Sequence, residues 1–285
     1  MNFVEFFNRM KALKMAKKGR PPVLSANTFF PWKEERLAKE LLKNELNRIS
    51  EIMANSAISK SGIHDDGTEL VQVNSEAALS PDFISSVDKL AESIESFCTK
   101  SFSNFSEMVV GQRYFPYGSK KKTIDAWKDN FLQQCKSSSA EINKKISNIV
   151  YNSVNKGRTL KETMSLIRKE SKDMSESKAE LIARTETAKL NSAISQAQQE
   201  EAGLDYYQWA AGKDGRTRES HIKMQGLICS WKDSTVYFTV ENGKMVKHKR
   251  TAAMVKLHPG EDFNCRCIAL PWDISFMNDY KSPKV

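Results

Sequence analysis

Apolar side chains recur three and four positions apart along most of this chain, then alternate or gather in short runs after about residue 203. Leu37, Leu41, Leu42, Leu46, Ile49 and Met53 predict a helix over 33–53, led in by Phe29-Phe30-Pro31-Trp32. The polar stretch 55–80 keeps no period and reads as a loop or linker. Ser80-Pro81-Asp82 then offers a cap and a first-turn proline, and Phe83, Val87, Leu90, Ile94, Phe97 and Cys98 supply the stripe of a long helix. Pro116 and Gly118 place a turn within 111–119. A helical pair is expected over 123–136 and 140–155, the second with Ile142, Ile146, Ile149 and Val150 on one face. Thr159-Leu-Lys-Glu162 is a capping box for a short helix carrying Leu160, Met164 and Ile167. Ser177-Lys-Ala-Glu180 is a second box, opening a further helix that runs through Ile182, Leu190 and Ile194 to Gly203.

Beyond Gly203 the pattern is that of strands. Tyr206-Tyr-Gln-Trp-Ala210 reads as one, and Cys267-Ile-Ala-Leu-Pro-Trp272 as the last. Val236 to Val240, then Glu241-Asn242-Gly243, then Lys244-Met-Val246 reads as a hairpin, because Asn-Gly tolerates the positive φ of a tight turn. The fold class expected is α+β: a mainly α-helical N-terminal region, then a small C-terminal α+β domain with a β-hairpin and a short sheet. In chain order the segments are a basic helical docking segment over 1–55, a linker over 56–80, a helical region over 81–155, the α+β domain over 156–273 and a tail over 274–285.

Charge changes this picture in one respect. The net charge is +9, but it is carried in blocks: residues 1–20 hold six basic and one acidic side chain, 61–119 three basic and nine acidic, and 120–170 twelve basic and five acidic. Basic blocks suit double-stranded DNA through release of counterions, without reading sequence. Lys120, Lys121, Lys122, Lys144 and Lys145 are the candidate contacts; the plainer reading is a helix surface kept soluble by lysine. At the N-terminus, Phe3, Phe6, Phe7, Met10 and Leu13 can share one face amid Lys11, Lys14, Lys17, Lys18 and Arg20. That face suits docking on a partner protein, against the plainer reading of a solvated terminal helix. No run approaches the ~20 apolar residues of a membrane-spanning helix, and the N-terminus lacks the order of a secretory signal. Five cysteines in an odd count, without framework spacing, point to reduced thiols.

The chemistry gathers in the last third. Trp209, Asp214, Arg216, Arg218 and His221 fall within thirteen positions, and His258, Asn264, Cys265, Arg266 and Cys267 follow within ten. Asp214 or Thr217 can cap a short helix running through His221, and the two arginines can grip a carboxylate, with Glu186 as a candidate partner. In an extended Cys265-Arg266-Cys267 both thiols face one way and the arginine the other. With His221, His258 and Cys229 these thiols can supply the four ligands of a structural zinc; the plainer reading is two small buried residues beside a His258-Pro259 turn. His221 and His258 with Arg216 can also serve acid–base cleavage of a phosphodiester, the alternative being a nuclease or toxin-like enzyme acting on nucleic acid. No Gly-rich phosphate loop, Ser-nucleophile elbow or paired-carboxylate metal motif supports that alternative.

In their order, these residues carry a resemblance. Ile182-Ala-Arg184-Thr185-Glu186-Thr187, Trp209, Asp214-x-Arg216-Thr217-Arg218-x-x-His221, His258-Pro259 and Asn264-Cys265-Arg266-Cys267 resemble the phage head-morphogenesis family, the Mu F-protein-like minor head proteins of tailed bacteriophages. The similarity covers roughly 155–273, with one departure: Gly260-Glu-Asp-Phe263 intervenes where the family is more compact. The resemblance implies a non-enzymatic minor capsid protein inside the phage head, present in the virion and in the host cytoplasm during assembly. Its implied partners are the portal, the major capsid or scaffolding protein, and packaged DNA during packaging or ejection. No cofactor other than a structural zinc is expected.

Overall fold

The computed structural model describes residue 5 and residues 29–60, 78–212, 215–280 and 283. The N-terminal Phe-bearing face, most of the 56–80 linker, Asp214 and part of the 274–285 tail lie outside the described residues.

Among the described residues, four long helices precede the sheet: α1 (Trp32–Lys60), α2 (Pro81–Val110), α3 (Lys121–Asn155) and α4 (Leu160–Glu201). A five-stranded sheet follows, built from β1 (Tyr206–Ala210), β2 (Ile228–Ser230), β3 (Asp233–Glu241), β4 (Lys244–Lys249) and β5 (Ile268–Trp272). The one-turn helix α5 (Glu219–Ile222) lies between β1 and β2, and a 3-10 turn (Ile274–Asp279) follows β5. The α+β class is as the hydrophobic pattern predicts.

The predicted helical starts are made as the sequence implies. Ser80 Oγ accepts from the Phe83 amide at 3.2 Å, and Thr159 and Glu162 form the reciprocal box, with Glu162 Oε2 2.9 Å from the Thr159 amide and Thr159 Oγ1 3.3 Å from the Glu162 amide. Two expected breaks are absent. Residues 123–155 form one helix, because the Ser137-Ser138-Ser139 run contains no proline or glycine and Ser139 Oγ donates to the Cys135 carbonyl one turn back at 2.9 Å. The second capping box is likewise idle. Nothing between Leu160 and Glu201 interrupts the helix, and the Glu180 carboxylate accepts from Lys39 Nζ at 3.3 Å.

Contacts group the chain into two compact units, each drawn from separate stretches. The first to consider, 33–90 with 126–183, is helical, and its stripes are buried: Leu42, Leu46, Ile49, Val87, Leu90, Phe131, Ile142 and Ile146. The Phe83 and Phe131 rings stack at 6.4 Å. Burial pushes the Cys135 thiol up to about 12, so it packs as a neutral small apolar group. Glu45, only 4% exposed, accepts from the Ser80 amide at 2.6 Å, Ser80 Oγ at 2.9 Å and Arg48 at 2.7 and 3.0 Å.

The other unit comprises 1–32, 91–125 and 184–285 and holds the sheet, in the order β4-β3-β2-β1-β5 with every pairing antiparallel. Strand β2 carries too few residues to show a period, and the sequence reading missed it. The β3–β4 turn is as predicted, with Asn242 and Gly243 at φ 50° and 71°. Alternation along β1 sorts the two faces. Ala210, with Ile228, Ile268, Leu270 and Trp272, packs among Phe102, Phe105, Ala188, Ala202 and Leu204 of the helices. Tyr207 and Trp209 face the other way, into a cluster with Cys229, Trp231, Tyr237, Cys265 and Cys267. The candidate chemistry lies on this second face.

Candidate functional site

The site is assembled by a corner after residue 258 that is moulded onto α4. Gly260 takes φ 86°, and a Cβ there would lie 2.7 Å from the Ala188 carbonyl oxygen, so only glycine allows this approach. Four residues later Asn264 also takes a positive φ, 59°. Its amide donates to Thr185 Oγ1 at 3.0 Å, and its Oδ1 accepts from Arg184 Nη1 at 2.8 Å. The Arg184-Thr185 pair of α4 therefore acts as a clamp on the residue immediately before Cys265. Glu186, expected as a carboxylate for the arginines, accepts from Lys189 at 2.8 Å.

From that clamped corner the chain runs extended into β5, and Cys265 and Cys267 point together at His221, as the predicted alternation requires. His221 Nδ1 lies 3.5 Å from Cys265 Sγ and 3.4 Å from Cys267 Sγ. Arg266 points elsewhere, its guanidinium 5.1 Å from the Trp32 ring centroid. Gly212 makes room for this strand, since a Cβ there would be 3.1 Å from Arg266 Cβ. None of the five cysteines is in a disulfide.

His221 is carried by α5 and is 2% exposed. The residue at the helix cap is Arg218, which makes no side-chain cap; Thr217 Oγ1 instead donates to the Gly212 carbonyl, correcting the expectation that Thr217 caps this helix. The Trp209 ring meets the imidazole edge-on at 5.8 Å. On the far side of the imidazole, Nε2 is 3.0 Å from Asp262 Oδ2. That oxygen also accepts from Arg218 Nη1 at 2.9 Å, while Arg218 Nη2 donates to the Phe263 carbonyl at 3.0 Å. The carboxylate gripped by Arg218 is thus Asp262, a residue of the Gly260–Phe263 stretch that the sequence marks only as a departure in spacing.

Electrostatics follow this geometry. Burial alone pushes the His221 imidazolium down, but Cys265 and Asp262 together outweigh it and raise the pKa. The hydrogen bond with Cys267 holds the Cys265 thiol well below its ordinary range, against burial, with His221 adding to the effect. Cys267 is driven the other way, first by its Cys265 neighbour and then by burial. Beside the three side chains lies a cavity of about 90 Å³ lined by Arg184, Arg216, Thr217, Arg218, Asn264 and Arg266.

The remaining candidates stand apart from this trio. His258 Nδ1 lies 3.0 Å from Tyr207 OH, its ring packs at 5.2 Å on Trp231, and burial lowers its pKa. Cys229 is buried in β2, with its thiol pushed up to about 11 by burial. Lys120, expected among the DNA contacts, is 6% exposed. It donates to Glu201 at 2.8 Å and to the Gly118 carbonyl at 2.6 Å, so it is a buried structural cation. Lys121, Lys122, Lys144 and Lys145 are exposed.

Arg250 is the residue that sequence reasoning missed altogether. It is 4% exposed. Its guanidinium donates to the carbonyls of Val255 and Leu257 at 2.8 and 2.9 Å and of Val236 at 3.2 Å. Its Nη2 lies 3.4 Å from Tyr207 OH, and its Cζ lies 5.5 Å from the Trp209 ring centroid. It ties β3, the loop after β4 and β1 into one layer under the site. The only signal in the sequence was a lone arginine ending a basic strand.

A family model described as Phage Mu protein F like protein matches residues 144–270. An uncharacterized protein of Haemophilus influenzae (strain ATCC 51907 / DSM 11121 / KW20 / Rd) is 32% identical over 140 residues, which is 49% of this chain and 27% of the relative. The chain therefore aligns with about a quarter of that relative's length. No solved structure matches significantly. The family match takes in α4, the clamp at Asn264, His221 and both clustered cysteines, so over residues 144–270 this chain is similar to the Phage Mu protein F like family.

Proposed function

We propose that this chain is a minor head protein of a tailed bacteriophage. It joins the procapsid beside the portal, contacts the portal and the major capsid or scaffolding protein, and handles double-stranded DNA during packaging or ejection. Its places are the interior of the virion head and, during assembly, the host cytoplasm. The observation that carries this reading is the Mu protein F-like match running through the braced sheet and its site. The net charge of +9 and the exposed lysines at 121, 122, 144 and 145 favour a polyanionic partner. No helix among the described residues is long and apolar enough to cross a membrane.

The role is structural, without turnover. A nuclease working through His221 and Arg216 is less well supported, because His221 is 2% exposed and both its ring nitrogens already face protein partners. The test is to delete the gene, complement it, and analyse purified procapsids and heads by mass spectrometry and electron microscopy. We expect the chain in heads at low copy, and aberrant or poorly infectious particles without it. Normal infectious heads that never contain the chain refute the proposal. Incubation with plasmid and RNA is expected to give salt-sensitive binding to plasmid without cleavage. Cleavage abolished by His221→Ala would overturn the structural role. Deleting the docking segment, residues 1–55, is expected to prevent recruitment to the head; unchanged recruitment refutes the docking role.

A further inference from the structure

His221, Cys265 and Cys267 offer one nitrogen and two sulfurs that all lie within 4.8 Å of one another, and all three residues are buried. We infer that they bind a zinc ion, with His221 Nδ1, Cys265 Sγ and Cys267 Sγ as protein ligands and a solvent molecule from the adjoining arginine-lined cavity as the fourth.

The spacing supports this quantitatively. Tetrahedral zinc with Zn–N of about 2.0–2.1 Å and Zn–S of about 2.3 Å places nitrogen and sulfur about 3.6 Å apart. The two N···S separations are 3.4 and 3.5 Å. The two N···S edges are thus close to zinc-site lengths, and the two sulfurs lie within 4.8 Å of each other.

Metal-free packing accounts for them less well. With Nε2 donating to Asp262, Nδ1 is the nitrogen with the lone pair. That lone pair can accept a hydrogen from only one of the two thiols at 3.4 and 3.5 Å, and the second must then turn to the first sulfur. A cation on that lone pair satisfies all three groups together. The surroundings are also those of a metal ligand set. The Asp262 carboxylate orients the imidazole from behind, and Arg218 in turn fixes that carboxylate. The Cys267 amide donates to Cys265 Sγ at 3.3 Å. Such an N–H···S bond stabilises the deprotonated sulfur that zinc requires. The fourth position opens on the cavity of about 90 Å³, which has room for a solvent molecule.

The inference does not depend on the head-assembly reading. Its test uses the full chain purified with a non-thiol reductant. Elemental analysis should find about one zinc per chain, retained in Cys135→Ser and lost in the Cys265→Ser/Cys267→Ser double variant. Replacing zinc by Co(II) should give the intense visible bands of a tetrahedral site and a near-ultraviolet thiolate-to-cobalt band. This readout needs no variant to fold and no phage to assemble. Absence of zinc together with absence of the thiolate–cobalt band overturns the proposal, as does zinc that persists undiminished in the double variant. Recovery of a Cys265–Cys267 disulfide from the reduced preparation also overturns it. A bound zinc in a chain that never enters heads would leave this site standing and sink only the assembly role.

Discussion

Arg250→Ala removes the brace beneath the site, and the structure sets the size of the loss. The guanidinium serves the carbonyls of Val236, Val255 and Leu257 and lies against Trp209, in a position 4% exposed. A hydrogen bond to a charged group contributes about 1.5–3 kcal/mol, but these three share one desolvated cation and do not add. Leaving buried carbonyls without a donor, along with a cavity beside an indole, should cost about 3–5 kcal/mol in all. For a chain of this size that corresponds to a fall in Tm of about 10 °C. Arg250→Lys keeps the charge but not the planar fork, so it should recover only part of the loss, leaving about 1–3 kcal/mol. Denaturant unfolding followed by near-ultraviolet circular dichroism and tryptophan fluorescence measures both variants. Hydrogen exchange should show the extra opening concentrated in β3 and the loop after β4. If Arg250→Ala unfolds within about 1 kcal/mol of wild type, the guanidinium is not the brace and the argument fails.

Other consequences can be checked independently. Burial pushes the Glu45 carboxyl up, but the hydrogen bonds from Arg48 and Ser80 together hold it below its ordinary value. Its stabilising contribution is therefore full above the unfolded carboxylate range and lost as pH falls through the folded value; Glu45→Gln should be less stable at neutral pH and show a shallower acid limb in thermal melts. Gly260→Ala places a Cβ against the Ala188 carbonyl at a positive φ, and should cost about 2 kcal/mol or more by denaturant titration. A neutral effect there would mean the corner is not moulded onto α4. In DNA binding, Lys144→Ala/Lys145→Ala should flatten the dependence on salt by about 1–2 units of slope. Lys120→Ala should leave that slope unchanged while lowering Tm, since its cation is committed to Glu201.

What local patterns encode was legible in the sequence. The cap at Ser80, the box at Thr159, the Asn242-Gly243 turn and the common facing of Cys265 and Cys267 depend on neighbours within a few positions, and all are present. The extra breaks within α3 and α4 were misread because serine is ambiguous. It caps a helix when the preceding backbone is extended, and satisfies itself on the carbonyl one turn back when it is not, as Ser139 does. Asp262, Arg250 and the clamp of Arg184 and Thr185 on Asn264 act across tens of residues, where no period reaches. The same holds for the two compact units, which are discontinuous in sequence. Lys120 shows the converse: within Lys120-Lys121-Lys122 nothing local reveals that one cation is buried on Glu201 and its neighbours are solvated.

The pairing of β5 with β1 bears on biosynthesis. Trp209 pairs with Ala269 and Ala210 with Ile268, across most of the length of the sheet domain. Of the five strands, β5 emerges from the ribosome last, so β1 has to wait with one edge open while β2, β3 and β4 are made. Cys265 and Cys267 arrive just ahead of the strand that closes this edge. Completion of the sheet and convergence of the two sulfurs on His221 are consequently one late event in the life of the nascent chain, and a chain stopped before Cys265 would lack both.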